Sequence, residues 1–455
     1  VAPKFGTSGL RGLVVDLTPA LVADHLRAFV RACDIGTGLY VGRDLRASSP
    51  TLAAVVVAAA RGEGLAVVDC GALPTPALAL AAMGAGAAAV MVTGSHIPAD
   101  RNGLKFYTPG GEISKADEAG ILAGLGAVSA GLSGPLQVSA QAGEAYVARY
   151  IRAYAGALVG LRVGVWQQSG VARDMLVEVL EGCGAKVVAL GRSEEFIPVD
   201  TEAVLPDWRA MFAGWAAEHR LDVVVSTDGD ADRPMVADGA GAVVAGDVLG
   251  ALTAQALGAV RVVTTVSANT CVDLMGRFEV ARTQIGSPFV IAGMAGGGSV
   301  VGYEPNGGFL LGFDAQGPAG PLAALMTRDC MVPILAPLAA ARAAGVSLMA
   351  LVAGLPARFT ASLRLQGVET AAALAFLAAV RADPAALMAA AGLGEVDHVN
   401  MTDGWRAQSG GDIVHLRPSG NAPEFRIYAE ARSAARADQI AAQARRFVQS
   451  VLGGD

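Results

Sequence analysis

The chain predicts an α/β protein of several units closed by an α+β unit. Three observations predict this. Strand-like apolar runs alternate with helix-like runs from Leu17 to Val266, the order of βαβ units on mostly parallel sheets. From Val396 to Ala429 the chain reads as short strands without intervening helices, followed by one closing helix, so the last hundred residues form a separate α+β unit. A length of 455 residues also exceeds what one core organises, so about three or four domains are expected.

Composition narrows the class. A hydrophobic fraction of 53% with abundant Ala and Gly suits a compact α/β protein and excludes a disordered one. The net charge of -7 argues against nucleic acid or an anionic membrane surface as the partner. Cys33, Cys70, Cys183, Cys271 and Cys330 stand without CxxC spacing, which fits reduced, buried thiols in a cytoplasm and implies no zinc site. Val1 to Gly6 lacks the apolar run of a signal peptide. Residues 70 to 94 carry no charge over the length of a membrane span, but Gly71, Pro74, Pro76, Gly84 and Gly86 interrupt them. A buried turn, helix and strand are expected there, in a cytoplasmic protein.

In chain order, Phe5 to Gly12 places Arg11 among small residues whose NH groups can approach an anion; a plain turn is the alternative. Helices are expected over 17–32, 49–63 and 76–83, and strands over 38–42, 65–70 and 88–92. The Gly84-Ala85-Gly86 segment follows a helix and precedes a strand, the reverse of a dinucleotide site. Residues 126–143 read as a connector. A helix over 143–158 leads to a second unit with strands at 162–166 and 186–190 around a helix at 171–182. A third begins with a helix at 246–257 and a strand at 260–266. Strands at 396–400, 406–408, 412–416 and 425–429 and a helix at 434–452 form the last unit.

Four loops carry the chemistry. The first follows the apolar run to Val92 and reads Thr93-Gly94-Ser95-His96-Ile97-Pro98, with Asn102-Gly103-Leu104-Lys105 beyond it. Ligand chemistry in open α/β sheets gathers at the carboxyl ends of strands, so Ser95 is a candidate nucleophile; ordinary turn formers are the alternative. The second follows Val223-Val224-Val225 and holds Asp228, Asp230 and Asp232 before Arg233. Residues two apart in extended backbone point the same way, so three carboxylates would converge and repel one another unless a cation lies among them; oxygen ligands suit Mg2+, and a solvated acidic loop is the alternative. An EF-hand fails, because Arg233 and Gly239 stand where Gly and Glu are needed. The third, Gly302 to Phe309, offers Glu304 and Asn306 to vicinal sugar hydroxyls; an ordinary Asn-Gly hairpin turn is the alternative. The fourth, Arg417-Pro418-Ser419-Gly420-Asn421-Ala422-Pro423, combines groups that suit a phosphate monoester.

Together these loops resemble, in order and approximate spacing, the phosphohexomutase superfamily of phosphomannomutases and phosphoglucomutases. The resemblance spans the chain. It implies three related α/β domains and an α+β domain around a central cleft, with bounds read here as 1–156, 157–245, 246–357 and 358–455. It implies a phosphoserine at Ser95 that exchanges its phosphoryl group with a hexose phosphate through a hexose 1,6-bisphosphate. Mg2+ would sit on Asp228, Asp230, Asp232 and a phosphoserine oxygen, with Arg11 and Arg233 assisting. Lys105 or His96 would handle the proton, Lys105 being preferred. Arg417, Ser419, Gly420, Asn421 and Arg426 would hold the idle phosphate, and Glu304, Asn306 and Ser287 the sugar. Domain closure would exclude water. Gly94 and Ile97 depart from the usual Ala and Asn, Asn421 and Ala422 from Thr and Glu, and the sugar loop lacks an imidazole that some members use. Mannose phosphate is expected first and glucose phosphate next, in a monomer or homodimer; a non-catalytic sugar-phosphate binder is the alternative from another class.

Overall fold

The computed structural model describes residues 3–6, 9–418 and 424–453. Among these residues the expected architecture of three α/β units and a terminal α+β unit is present. The first sheet runs in the order Lys4–Gly6, Gly9–Leu13, Arg101–Thr108, Ala88–Val92, Leu39–Arg43, Val67–Ala72, Leu136–Val138. The last of these strands is a correction to the sequence reading: the presumed connector contributes an edge strand parallel to Val67–Ala72. Its three residues are all exposed, so it carries no apolar pattern to reveal it.

The second sheet orders Lys186–Arg192, Arg162–Gln168, Val223–Thr227, Pro234–Asp238 and Val243–Val244. The third orders Glu279–Thr283, Arg261–Thr265, Val300–Tyr303, Phe309–Leu311 and Leu325–Asp329. All three sheets share one device: a central parallel strand runs into a short loop and returns antiparallel. Ala88–Val92 returns as Arg101–Thr108, Val223–Thr227 as Pro234–Asp238, and Val300–Tyr303 as Phe309–Leu311. Ser95, the three aspartates and Glu304 occupy those three loops. The sequence places functional loops after buried strands because the Val-, Ala- and Met-rich runs must lie inside the sheet.

One continuous apolar core joins the three α/β units, running from Leu73 and Tyr107 through Tyr146–Leu158 and Val223 to Tyr303 and Leu335. The fourth unit is an antiparallel sheet, Phe359–Gln366, Glu424–Ala431, Asp412–Pro418, Trp405–Ser409 and His398–Asn400, backed by helices Thr370–Ala382 and Ala434–Leu452 on its own core. No helix among the described residues is long and apolar enough to cross a membrane.

Candidate active site

Ser95 sits at the carboxyl end of Ala88–Val92 with a left-handed backbone, φ 53°, a conformation that costs a non-glycine residue energy and must be held. Arg46 holds it. Its guanidinium is buried and donates to four carbonyls of the loop, Ser95 O at 2.9 Å, Ile97 O at 2.6 Å, Pro98 O at 2.7 Å and Arg101 O at 2.9 Å. Asp44 anchors the guanidinium at 3.2 Å and accepts from Thr93 Oγ1 at 2.7 Å, and Thr93 Oγ1 in turn accepts from Ser95 N at 2.8 Å. A Cβ on Gly94 would lie 2.6 Å from the Arg46 guanidinium carbon, so this wrapping requires the glycine.

The second loop brings its carboxylates together differently from the extended backbone the spacing suggested. Asp228 to Arg233 is a tight turn, with Ala231 at φ 58° and Asp228 N donating to Arg233 O at 3.2 Å. The turn, rather than strand alternation, aims Asp228, Asp230 and Asp232 at one point, with ligand-capable oxygens within 4.8 Å of one another. Ser95 Oγ donates to Asp228 Oδ2 at 2.6 Å. Lys105, on the returning strand, donates to Asp230 Oδ2 and Asp232 Oδ2, each at 2.6 Å, and Thr75 Oγ1 also donates to Asp230 Oδ2. Among the described residues Asp230 Oδ1 and Asp232 Oδ1 have no hydrogen-bond partner although fully buried. Burial and the neighbouring Asp230 and Asp232 push the Asp228 carboxyl well above the ordinary range. Burial acts in the same sense on Asp232, but Arg328, Lys105 and Arg233 outweigh it and hold that group far below. Three converging buried carboxylates, two of them with an oxygen that accepts no hydrogen bond, fit a hard divalent cation such as Mg2+.

Positive charge surrounds this cluster. Arg233 Nη1 lies 3.0 Å from His96 Nδ1, and since a guanidinium only donates, Nδ1 is the acceptor and the imidazole proton is on Nε2. Burial, Arg233 and Arg11 keep His96 well below its usual value, hence neutral. Arg11, on Gly9–Leu13, is pushed down to about 10 by burial and by Arg233, against the pull of Asp230. A buried arginine held down by a second arginine beside it marks a place for an anion.

The third loop folds on itself: Asn306 Oδ1 accepts from Gly308 N at 2.9 Å, and Asn306 O accepts from Thr201 Oγ1 of the second unit at 2.8 Å. Glu304 Oε2 is buried without a hydrogen-bond partner among the described residues. Ser287 is already engaged, donating to Glu112 Oε2 at 2.8 Å. In the fourth unit Arg417 and Arg426 are direct cross-strand partners. Like charges so placed repel unless an anion lies between them. Arg417 Nε is 3.2 Å from Asp403, and Arg426 Nη2 is 3.7 Å from Glu424. Ser419, Gly420 and Asn421 lie outside the described residues.

Sequence reasoning missed several members. Arg46 and Asp44 follow directly on Leu39–Arg43, the strand end where ligand chemistry collects, and that position was a usable signal. Arg328 carried a fainter one. It is a charge in an apolar run, buried on Leu325–Asp329, with Nη2 2.8 Å from Asp232 Oδ2, Nη1 3.7 Å from Glu304 Oε2 and Nε 3.7 Å from Glu112 Oε1. Glu112 and Thr201 gave no signal at all.

The chain is similar over nearly its whole length to known proteins. Models described as phosphoglucomutase/phosphomannomutase alpha/beta/alpha domains I, II and III match residues 2–130, 144–241 and 238–359, and the C-terminal domain model matches 368–447. A protein of Sinorhizobium fredii named phosphomannomutase is 43% identical, covering 97% of this chain and 98% of its own. Another of that name from Salmonella muenchen is 40% identical, covering 99% and 96%. A solved phosphoglucomutase/phosphomannomutase family protein from Burkholderia thailandensis superposes with a TM-score of 0.79 at 22% identity, covering 99% of this chain and 98% of that one.

Proposed function

The chain belongs to the phosphoglucomutase/phosphomannomutase family, and we propose that it is a phosphomannomutase, an isomerase that interconverts mannose 1-phosphate and mannose 6-phosphate. The sugar is taken from the relatives named phosphomannomutase, alike over nearly the whole chain. One observation carries the chemistry: a hydroxyl on strained backbone, 2.6 Å from a carboxylate of a triad with buried free oxygens, ringed by arginines.

Phosphoryl transfer needs positioning and neutralisation of charge more than covalent chemistry. Ser95 would carry the phosphoryl group and return it by way of a hexose 1,6-bisphosphate. Mg2+, held by Asp228, Asp230, Asp232 and a phosphoserine oxygen, supplies Lewis-acid neutralisation of charge on the transferring group when bound. Arg11 and Arg233, buried beside the triad, would add positive charge to that neutralisation. Lys105 has given two of its three donors to Asp230 and Asp232, which leaves the third for an oxygen of the incoming sugar. Its place beside the triad supports Lys105 as the group that exchanges the sugar hydroxyl proton. His96 is less suited, since its Nδ1 already accepts from Arg233. Among the described residues Glu304 Oε2 has no hydrogen-bond partner and, with Asn306, would take ring hydroxyls, while Arg417 and Arg426 would hold the idle phosphate together with Ser419, Gly420 and Asn421.

Phosphorus NMR of the protein with Mg2+ and a trace of hexose 1,6-bisphosphate, given mannose 1-phosphate or glucose 1-phosphate, tests this. Expected is faster conversion of mannose 1-phosphate to the 6-phosphate, abolished in Ser95→Ala. Equal or faster turnover of glucose 1-phosphate replaces the sugar; turnover surviving in Ser95→Ala refutes the mechanism.

A further inference from the structure

We propose that Arg328 is a positioning residue that sets the metal loop and the sugar loop relative to one another, acting on cation and substrate through Asp232 and Glu304. The inference rests on the phosphomannomutase reading above. Its basis is a single planar group that meets one carboxylate from each of three units: Glu112 of the first, Asp232 of the second and Glu304 of the third.

The three contacts differ in kind. On Asp232 the guanidinium takes Oδ2, the oxygen Lys105 also takes, so that Oδ1, with Arg233 Nε at 3.7 Å and no hydrogen-bond partner among the described residues, would be the ligand atom for a cation. On Glu304 it stands at 3.7 Å, near enough to compensate a buried negative charge but too far for a hydrogen bond, so Oε2 stays an open acceptor. On Glu112 it again stands at 3.7 Å, while Glu112 holds Ser287 by its other oxygen. Burial alone would favour a neutral guanidinium, but Asp232, Glu112 and Glu304 hold it firmly charged. A guanidinium suits this work because its fork reaches two carboxylates at fixed angles, whereas an ammonium is a point charge that serves one. Groups that orient ligating carboxylates commonly govern metal affinity as strongly as the ligands do.

A merely structural ion pair would lower the melting temperature and leave KM and cation affinity alone. The test therefore reads all three in the full chain, for Arg328→Lys, Arg328→Met, Glu304→Gln and the double variant Arg328→Met/Glu304→Gln. Mn2+ binding to dephosphorylated protein is followed by electron paramagnetic resonance, kinetics with mannose 1-phosphate, and melting by circular dichroism. Arg328→Met is expected to weaken Mn2+ binding and to raise KM about tenfold each. Arg328→Lys should recover most of the Mn2+ affinity but keep a KM raised about fivefold, because one ammonium cannot serve both loops. The double variant should show a KM within about twofold of Glu304→Gln. Unchanged KM and Mn2+ affinity with only a lowered melting temperature overturn the proposal, as does an additive double variant. If Arg328→Met does not fold, an unchanged KM in Arg328→Lys is by itself enough to overturn it. A wild-type protein without hexose phosphate turnover refutes the functional reading instead, while the Mn2+ arm still decides whether Arg328 sets the metal loop.

Discussion

At the scale of single residues, the site is a set of charges that stay buried only because partners or ligands offset them. Arg46 shows the satisfied case, a guanidinium whose donors all find oxygens and thereby fix the strained Ser95. Asp247 shows the reverse. It accepts from Asn269 N at 2.8 Å through one oxygen while the other, among the described residues, is buried without a partner, and burial pushes its carboxyl up to about 6 from an ordinary 3.8. Such a group holds its proton in the folded state where the unfolded chain has lost it, so stability falls as pH rises from about 4 to 6. A rise of that size corresponds to about 3 kcal/mol at the most. Asp247→Asn keeps an acceptor for Asn269 N and cannot ionise. Its urea midpoint relative to wild type should therefore rise between about pH 4.5 and pH 8; a constant difference across that range sinks the argument. The aspartate triad and Ser95 could be read from sequence because several reactive groups share a few positions. Arg328 gave only a faint signal and Glu112 none, since the contacts that define them, Glu112 and Asp232 for Arg328 and Arg328 for Glu112, come from other units.

At the scale of elements, the same strand–loop–strand return is used three times, and the loops meet because the sheets do. Contact between the first two is close: a Cβ on Gly229 would lie 2.7 Å from Ser95 O and 2.9 Å from the Phe196 ring. Gly229→Ala should thus force the metal loop away from the nucleophile while leaving both sheets intact. A shift of the order of 1 Å at reacting groups costs about a hundredfold in rate. The expected result is a large fall in kcat with a melting temperature within a few degrees of wild type; unaltered kcat would show that the loops tolerate separation. The spacing of polar residues located these loops but misplaced how the second works. Extended backbone was expected to make its carboxylates converge, where Asp228–Arg233 is a turn that needs Ala231 in the left-handed region. Spacing alone does not reveal φ.

At the scale of the molecule, three units share one core and the fourth has its own. The joint between third and fourth is polar: Arg358 Nε donates to Glu430 Oε1 at 2.5 Å, Thr270 donates to the same carboxylate, and Asn269 Nδ2 donates to Arg358 O at 2.9 Å. Polar joints over a separate core allow independent unfolding and relative movement. Calorimetry should resolve a larger transition for the three α/β units and a smaller one for the fourth. Mg2+ at about a hundred times its Kd should stabilise only the larger, by ~2.7 kcal/mol, and Asp230→Asn should abolish that stabilisation. A single transition moved as a whole by Mg2+ would mean that the fourth unit is locked to the others.

The sequence by itself determined the alternation of elements, the separate terminal unit and the four reactive loops, because hydrophobic periodicity and the crowding of polar groups on short turns are local properties. Tertiary structure alone decided how those loops meet. The guanidinium of Arg46 inside the nucleophile loop, Lys105 between two aspartates and Arg328 among three carboxylates join residues dozens to hundreds of positions apart. A buried charge is defined by what surrounds it, and its surroundings come from other parts of the chain.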